Sequence, residues 1–93
     1  MPTVDSPIVA LLVTAPLCHF CAQAHEVLNR LAREGLPLRI DELGWDDEGG
    51  TRLVRHDGVP FPPALYLDGV LWAYGRISER ALRKQLTSMM AST

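Results

Sequence analysis

Cys18 and Cys21 are the only cysteines in the chain, and two residues separate them in Cys18-His19-Phe20-Cys21. An apolar run from Ile8 to Val13 precedes the pair, and a helical pattern from Ala22 to Glu34 follows it. The first turn of a helix leaves backbone N–H groups unpaired and carries the positive end of the dipole. Both favour a thiolate over a thiol, and the thiolate is the nucleophile. A cysteine pair placed between a strand and a helix therefore reads as a redox site.

Other chemistry-bearing residues cluster around this pair in the sequence. His19 lies between the cysteines, and as imidazolium it would favour the neighbouring thiolate. Pro16, Leu17, Phe20, Phe61 and Pro62 could form an apolar rim for a protein or peptide substrate. His25 follows Cys21 by one helical turn. Zinc needs three or four ligands at close range. No fourth ligand is evident and His56 is distant in sequence, so no metal site is assigned and His25 is expected near the helix surface. Trp45 and Trp72 are expected to pack rather than to react.

Short elements must position these residues. Ile8 to Val13 is nearly all apolar, as in a central strand buried on both faces. Helical spacing from Ala22 to Glu34 puts Val27, Leu28, Leu31 and Ala32 on one face, and Gly35 and Pro37 stop the helix. Leu38 to Leu43 alternates as a second strand. Asp46, Asp47 and Glu48 mark a helix start, with Leu53 and Val54 inward and Gly58 as its end. Gly49 and Gly50 each weaken that helix by roughly 1 kcal/mol relative to alanine. Ala64 to Leu67 and Val70 to Tyr74 form a hairpin about Asp68-Gly69. Ser78 caps a last helix, with Ala81, Leu82 and Leu86 inward, that runs to about Met90. The order is β-α-β-α-β-β-α, an α/β domain with a four-stranded mixed sheet flanked by three helices.

Bulk properties narrow the function classes. A chain of 93 residues makes a single domain, residues 1–93 with a core over about 8–90. The net charge is −2 with no basic stripe, which argues against nucleic acid as a partner. Met1 to Pro7 has neither a basic region nor a long apolar one, so no signal peptide is expected. The apolar run after it is too short to span a membrane. The expected location is the cytoplasm, where an isolated cysteine pair is catalytic or metal-binding more often than structural.

Three motifs in order resemble the thioredoxin superfamily, in the small glutaredoxin-like form. They are Cys18 to Cys21, the segment Pro63-Ala64-Leu65-Tyr66-Leu67-Asp68-Gly69, and Gly75-Arg76-Ile77-Ser78-Glu79 ahead of the last helix. The resemblance covers about Ile8 to Leu86. It implies a thioredoxin-like fold and thiol–disulfide oxidoreductase activity, with electron transport through a redox-active disulfide. Phe20 is similar to the aromatic found at that place in glutaredoxins. A cis-proline facing the cysteines is implied at the start of the third strand. Pro60, Pro62 and Pro63 compete for that role. A strand begun at Phe61 would hold two prolines in its ladder, and the count back from Asp68-Gly69 selects Pro63. The cis bond is thus expected at Pro62–Pro63. In the family, the residue before the cis-proline pairs with substrate backbone through N–H and C=O. Pro62 has no N–H and keeps only the acceptor half.

On this resemblance Cys18 attacks a substrate disulfide and Cys21 resolves the mixed disulfide. His19 and Phe20 tune the pair, and Leu17, Phe20, Pro62 and Pro63 bind substrate. Thioredoxin's tryptophan before the motif is replaced by Leu17, and the first strand offers no acidic residue as a buried proton acceptor. The lysine before the first cysteine and the Gly-Gly and acidic pairs that grip glutathione in glutaredoxins are missing. Val13 to Leu17 and Ala73-Tyr74-Gly75 stand in those places. Arg76 remains as a surface arginine able to meet a carboxylate. Glutathione is therefore not an expected cofactor, and the dithiol itself is the only redox group. The expected partners are protein disulfides and a reductase or low-molecular-weight thiol, with the chain a monomer. Two other classes use the same cysteines: a non-catalytic binding module on this scaffold, and a metal- or iron–sulfur-binding protein. Stoichiometric metal in fresh protein would mark the latter, and a reactive Cys18 without turnover the former.

Overall fold

The computed structural model describes residues 6–91. Seven elements follow one another: β1 (Ile8–Thr14), α1 (His19–Arg33), β2 (Leu38–Gly44), α2 (Glu48–His56), β3 (Ala64–Leu67), β4 (Val70–Tyr74) and α3 (Glu79–Ala91). The spatial order of the sheet is β2-β1-β3-β4. β1 runs parallel to β2, with Leu12 opposite Glu42, and antiparallel to β3, with Val13 opposite Ala64. β1 therefore has a partner on both edges, which accounts for its apolar composition.

Alternation along β1 divides the core. Ala10 and Leu12 face Ala24, Val27, Leu28 and Leu31 of α1 and Leu82 and Leu86 of α3. Val13 joins Val54 and Tyr66 in a second cluster on the α2 side. Ala81, expected inward, is exposed, and Ile77 just before α3 is buried instead. The last helix presents a narrower apolar stripe than its spacing suggests. β3 and β4 pair as expected, with an irregularity after Leu65 that leaves Trp72 without an opposite residue. Strict alternation would send Trp72 and Ala73 to opposite faces, yet both pack on the α1–α3 cluster.

One boundary differs from expectation, for a local reason, while α2 starts within the acidic run Asp46 to Glu48 as expected. α1 begins three residues before Ala22, because Cys18 itself is its N-cap. α2 begins after Asp47, whose carboxylate accepts from the Gly44 N–H at 3.0 Å rather than from its own helix. Gly50 sits where a Cβ would strike the Gly44 carbonyl, so helix and strand end meet backbone to backbone. No described helix is long and apolar enough to cross a membrane.

Candidate active site

The topology gathers several segments at one end of the sheet. Thr14 closes β1 opposite Gly44 of β2, and Ala64 opens β3 between Val13 of β1 and Tyr74 of β4. The chain leaves β1 through Ala15, Pro16 and Leu17 and enters α1 at this end. Leu17 is fully exposed and has a positive φ of 56°, uncommon for a residue with a Cβ.

Cys18 has extended backbone (φ −111°, ψ 108°), and its Sγ accepts from the Cys21 N–H at 3.1 Å. Its carbonyl accepts from the N–H groups of Cys21 and Ala22. The two cysteines form a disulfide across a Cα–Cα distance of 5.1 Å. Cys18 is half-buried and Cys21 only 4% exposed. Exposure and the helix N-terminus thus favour Cys18 as the outward sulfur, with Cys21 behind it. His19 and Phe20 are both exposed, their rings tilted at 54° with centroids 6.1 Å apart.

The Pro62–Pro63 peptide bond is cis, the bond selected by the count back from Asp68-Gly69. Pro63 is buried and its carbonyl accepts from the Gly75 N–H at 2.8 Å. Gly75 has φ 77°, and a Cβ there would lie 3.0 Å from the Phe61 ring. Phe61 meets Tyr74 edge-on at 5.4 Å, and both remain exposed. Leu17, Phe20, Phe61 and Tyr74 are thus exposed large apolar side chains at the end of the sheet that holds the cysteines.

A polar cluster lies beside them. β2 turns Leu38 and Ile40 toward α1, and Glu42 continues that face. Its Oε1 lies 3.1 Å from Nε2 of His25, and its Oε2 accepts from Thr14 Oγ1. The Thr14 hydroxyl, chiefly, and the His25 ring hold the Glu42 carboxyl below its ordinary 4.5. No group of three or more His, Cys, Asp or Glu side chains able to hold a metal ion occurs among the described residues.

No family model matches the chain, and no curated protein matches it. Solved structures do. A variant thioredoxin from Halobacterium salinarum superposes with a TM-score of 0.69 at 26% identity, covering 90% of this chain and 75% of that one. With the β-α-β-α-β-β-α order and the cysteine pair at the start of α1, this supports the superfamily. The chain is a small protein of the thioredoxin superfamily. A malarial protein (TM-score 0.65, 18% identity, 91% and 98% coverage) shares the fold. So does the protein named Trxlp from Edwardsiella tarda (TM-score 0.57, 21% identity, 86% and 82% coverage). A thioredoxin-like redox role follows from this kinship together with the Cys18–Cys21 disulfide.

Of the residues singled out from sequence, Cys18, Cys21, Leu17, His19, Phe20, Pro62 and Pro63 all lie at this end of the thioredoxin-like sheet. Arg76 is exposed on the segment after β4, and His56 stands apart at the far end of α2 beside Asp57. Three neighbours of the site carry no motif in the sequence: Gln23, Thr14 and Glu42. Only Glu42 left a signal, as an acid at the third inward position of an otherwise apolar face.

Proposed function

We propose that this protein is a dithiol–disulfide oxidoreductase that reduces protein disulfides, with Cys18 attacking and Cys21 resolving. The observation that carries the reading is the helix cap: Cys18 Sγ accepts an N–H from the first turn of α1 at 3.1 Å. In the reduced protein the same donor and the helix dipole stabilise a Cys18 thiolate.

The Cys18 thiolate attacks one sulfur of a substrate disulfide and expels the other as a thiolate that picks up a proton. Cys21 then attacks Cys18 Sγ, releasing the second substrate thiol and closing the Cys18–Cys21 bond. Two cysteine thiols are oxidised and one substrate disulfide is reduced. A second dithiol, from a reductase or a small thiol, restores the starting state. Leu17, Phe20, Phe61 and Pro62 form an apolar rim for substrate, where the Pro62 carbonyl accepts a substrate N–H. His19 tunes the thiolate. No further cofactor is invoked, and the chemistry suits a reducing compartment such as the cytoplasm.

Reduction of insulin by dithiothreitol, followed as turbidity, tests this reading. Wild-type protein accelerates it, Cys18→Ser abolishes the acceleration, and reduced Cys21→Ser freed of dithiothreitol forms mixed disulfides with insulin visible by intact mass. Full acceleration by the Cys18→Ser protein would overturn the assignment.

A further inference from the structure

Cys21 poses a chemical problem that the helix cap does not solve. Cys21 is only 4% exposed, and burial keeps a thiol protonated. The first-turn N–H that favours a thiolate is aimed at Cys18, not at Cys21. Yet a thiol must lose its proton before it can attack a disulfide. A base near Cys21 is required.

His25 lies one turn after Cys21 on the same face of α1, and helical side chains lean over the turn that precedes them. From β2, Glu42 holds Nε2 of that ring at 3.1 Å. From β1, the buried Thr14 hydroxyl holds the other carboxylate oxygen. A carboxylate at Nε2 fixes the proton of the neutral ring there and leaves the lone pair on Nδ1, away from Glu42. Glu42 of β2 meets the His25 ring, Thr14 of β1 completes that cluster, and Cys21 precedes His25 by one turn of α1, with Asn29 one turn beyond.

We propose that His25, oriented by Glu42 and Thr14, accepts the proton of the Cys21 thiol when the mixed disulfide at Cys18 is resolved. The inference rests on the dithiol reading above. The Cys21 S–H bond breaks and its proton passes to Nδ1. The sulfur's electron pair forms the Cys21–Cys18 bond, and the Cys18–substrate bond breaks toward the substrate sulfur. The leaving thiolate then takes up a proton, and the imidazolium returns its own. Glu42 and Thr14 are positioning residues that never touch the reacting sulfurs.

The chromogenic disulfide dithiobis-nitrobenzoate separates the two steps. Attack by Cys18 on the reduced full chain releases a first equivalent of coloured thiolate, and closure by Cys21 releases a second. In His25→Asn the first equivalent appears at the wild-type rate and the second roughly 100-fold more slowly, the low end for a lost general base. The slow step then accelerates with hydroxide. Glu42→Gln also slows the second equivalent alone, because an amide at Nε2 no longer fixes the tautomer. Both side chains are well exposed, at 36% and 48%, so these variants fold, and the first equivalent reports a working site in each. A second equivalent within about twofold of wild type in His25→Asn overturns the proposal, as does equal slowing of both steps. Failure of the wild type to release any second equivalent overturns the dithiol reading itself, a pattern distinct from both.

Discussion

Gln23 holds the backbone of Ile77 with both ends of its side-chain amide. Its Nε2 donates to the Ile77 carbonyl at 2.8 Å, and its Oε1 accepts from the Ile77 N–H at 3.1 Å. A helix side chain thereby serves the segment between β4 and α3 as a strand neighbour would. Ile77 is 1% exposed, so water does not replace either bond. The seam continues outward through Arg30–Glu79 and Glu34–Arg83 pairs. It ties the helix that carries the cysteines to the segment whose Gly75 is bonded to Pro63.

Gln23→Ala leaves two buried backbone groups unpaired, at about 1–3 kcal/mol each. We expect a total loss of roughly 2–4 kcal/mol in urea unfolding, below the simple sum because the segment relaxes. Gln23→Glu keeps the acceptor but loses the donor and sets a second acceptor against the Ile77 carbonyl. It should therefore rescue little. Stability within about 0.5 kcal/mol of wild type in both would show that this contact is dispensable.

The two adjacent glycines of α2 should respond in opposite ways. A Cβ at Gly49 meets nothing within 4 Å, so Gly49→Ala gains helix propensity, about 0.5–1 kcal/mol. A Cβ at Gly50 collides with the Gly44 carbonyl, so Gly50→Ala costs stability despite the same propensity gain. Paired thermal melts read the contrast directly.

Much of this architecture was legible from residue patterning. β3 and β4 have the bounds set by Pro63, Asp68-Gly69 and Gly75, because hairpin turns and prolines punctuate the chain locally. β1 showed as an unbroken apolar run because it is central. What escaped were contacts between residues far apart in sequence. Gln23 reaches 54 positions to Ile77, and nothing in an exposed-looking helical glutamine announces it. His25 looked like an isolated surface histidine until β2 brought Glu42 beside it. The start of α1 is hidden in the sequence because its N-cap is Cys18, and cysteine is not among the usual capping residues.

Stability should fall at both ends of the pH scale. Glu42 is held below its ordinary 4.5, chiefly by the Thr14 hydroxyl, and Glu79 below the same value, chiefly by Arg30. Asp57 is held below 3.8, chiefly by the Tyr66 hydroxyl. A depressed carboxyl stabilises the fold fully above its unfolded value and loses that contribution as pH falls through the folded one. Burial, followed by Asp57, raises the Tyr66 phenol above 10.0, so its contribution is complete below 10.0 and is lost as pH rises beyond. Tyr66→Phe should therefore flatten both the alkaline limb and the acid limb in part. Unchanged limbs in a pH series of urea melts would contradict this.

His19 should act on the reduced state. On the proposed reading a charged His19 ring favours the neighbouring Cys18 thiolate, so His19→Ala should make the couple more reducing, by about 10–30 mV for an exposed ring. A shift to more positive potential would give the side chain the opposite role.

The central claim is that Cys18 and Cys21 form a working redox couple. Its most direct test is equilibration of the full chain in glutathione buffers, with thiol trapping and intact-mass analysis. The account predicts a reversible two-electron transition between dithiol and disulfide, with a midpoint of about −200 to −280 mV. Cysteines that stay reduced across the whole series would contradict it.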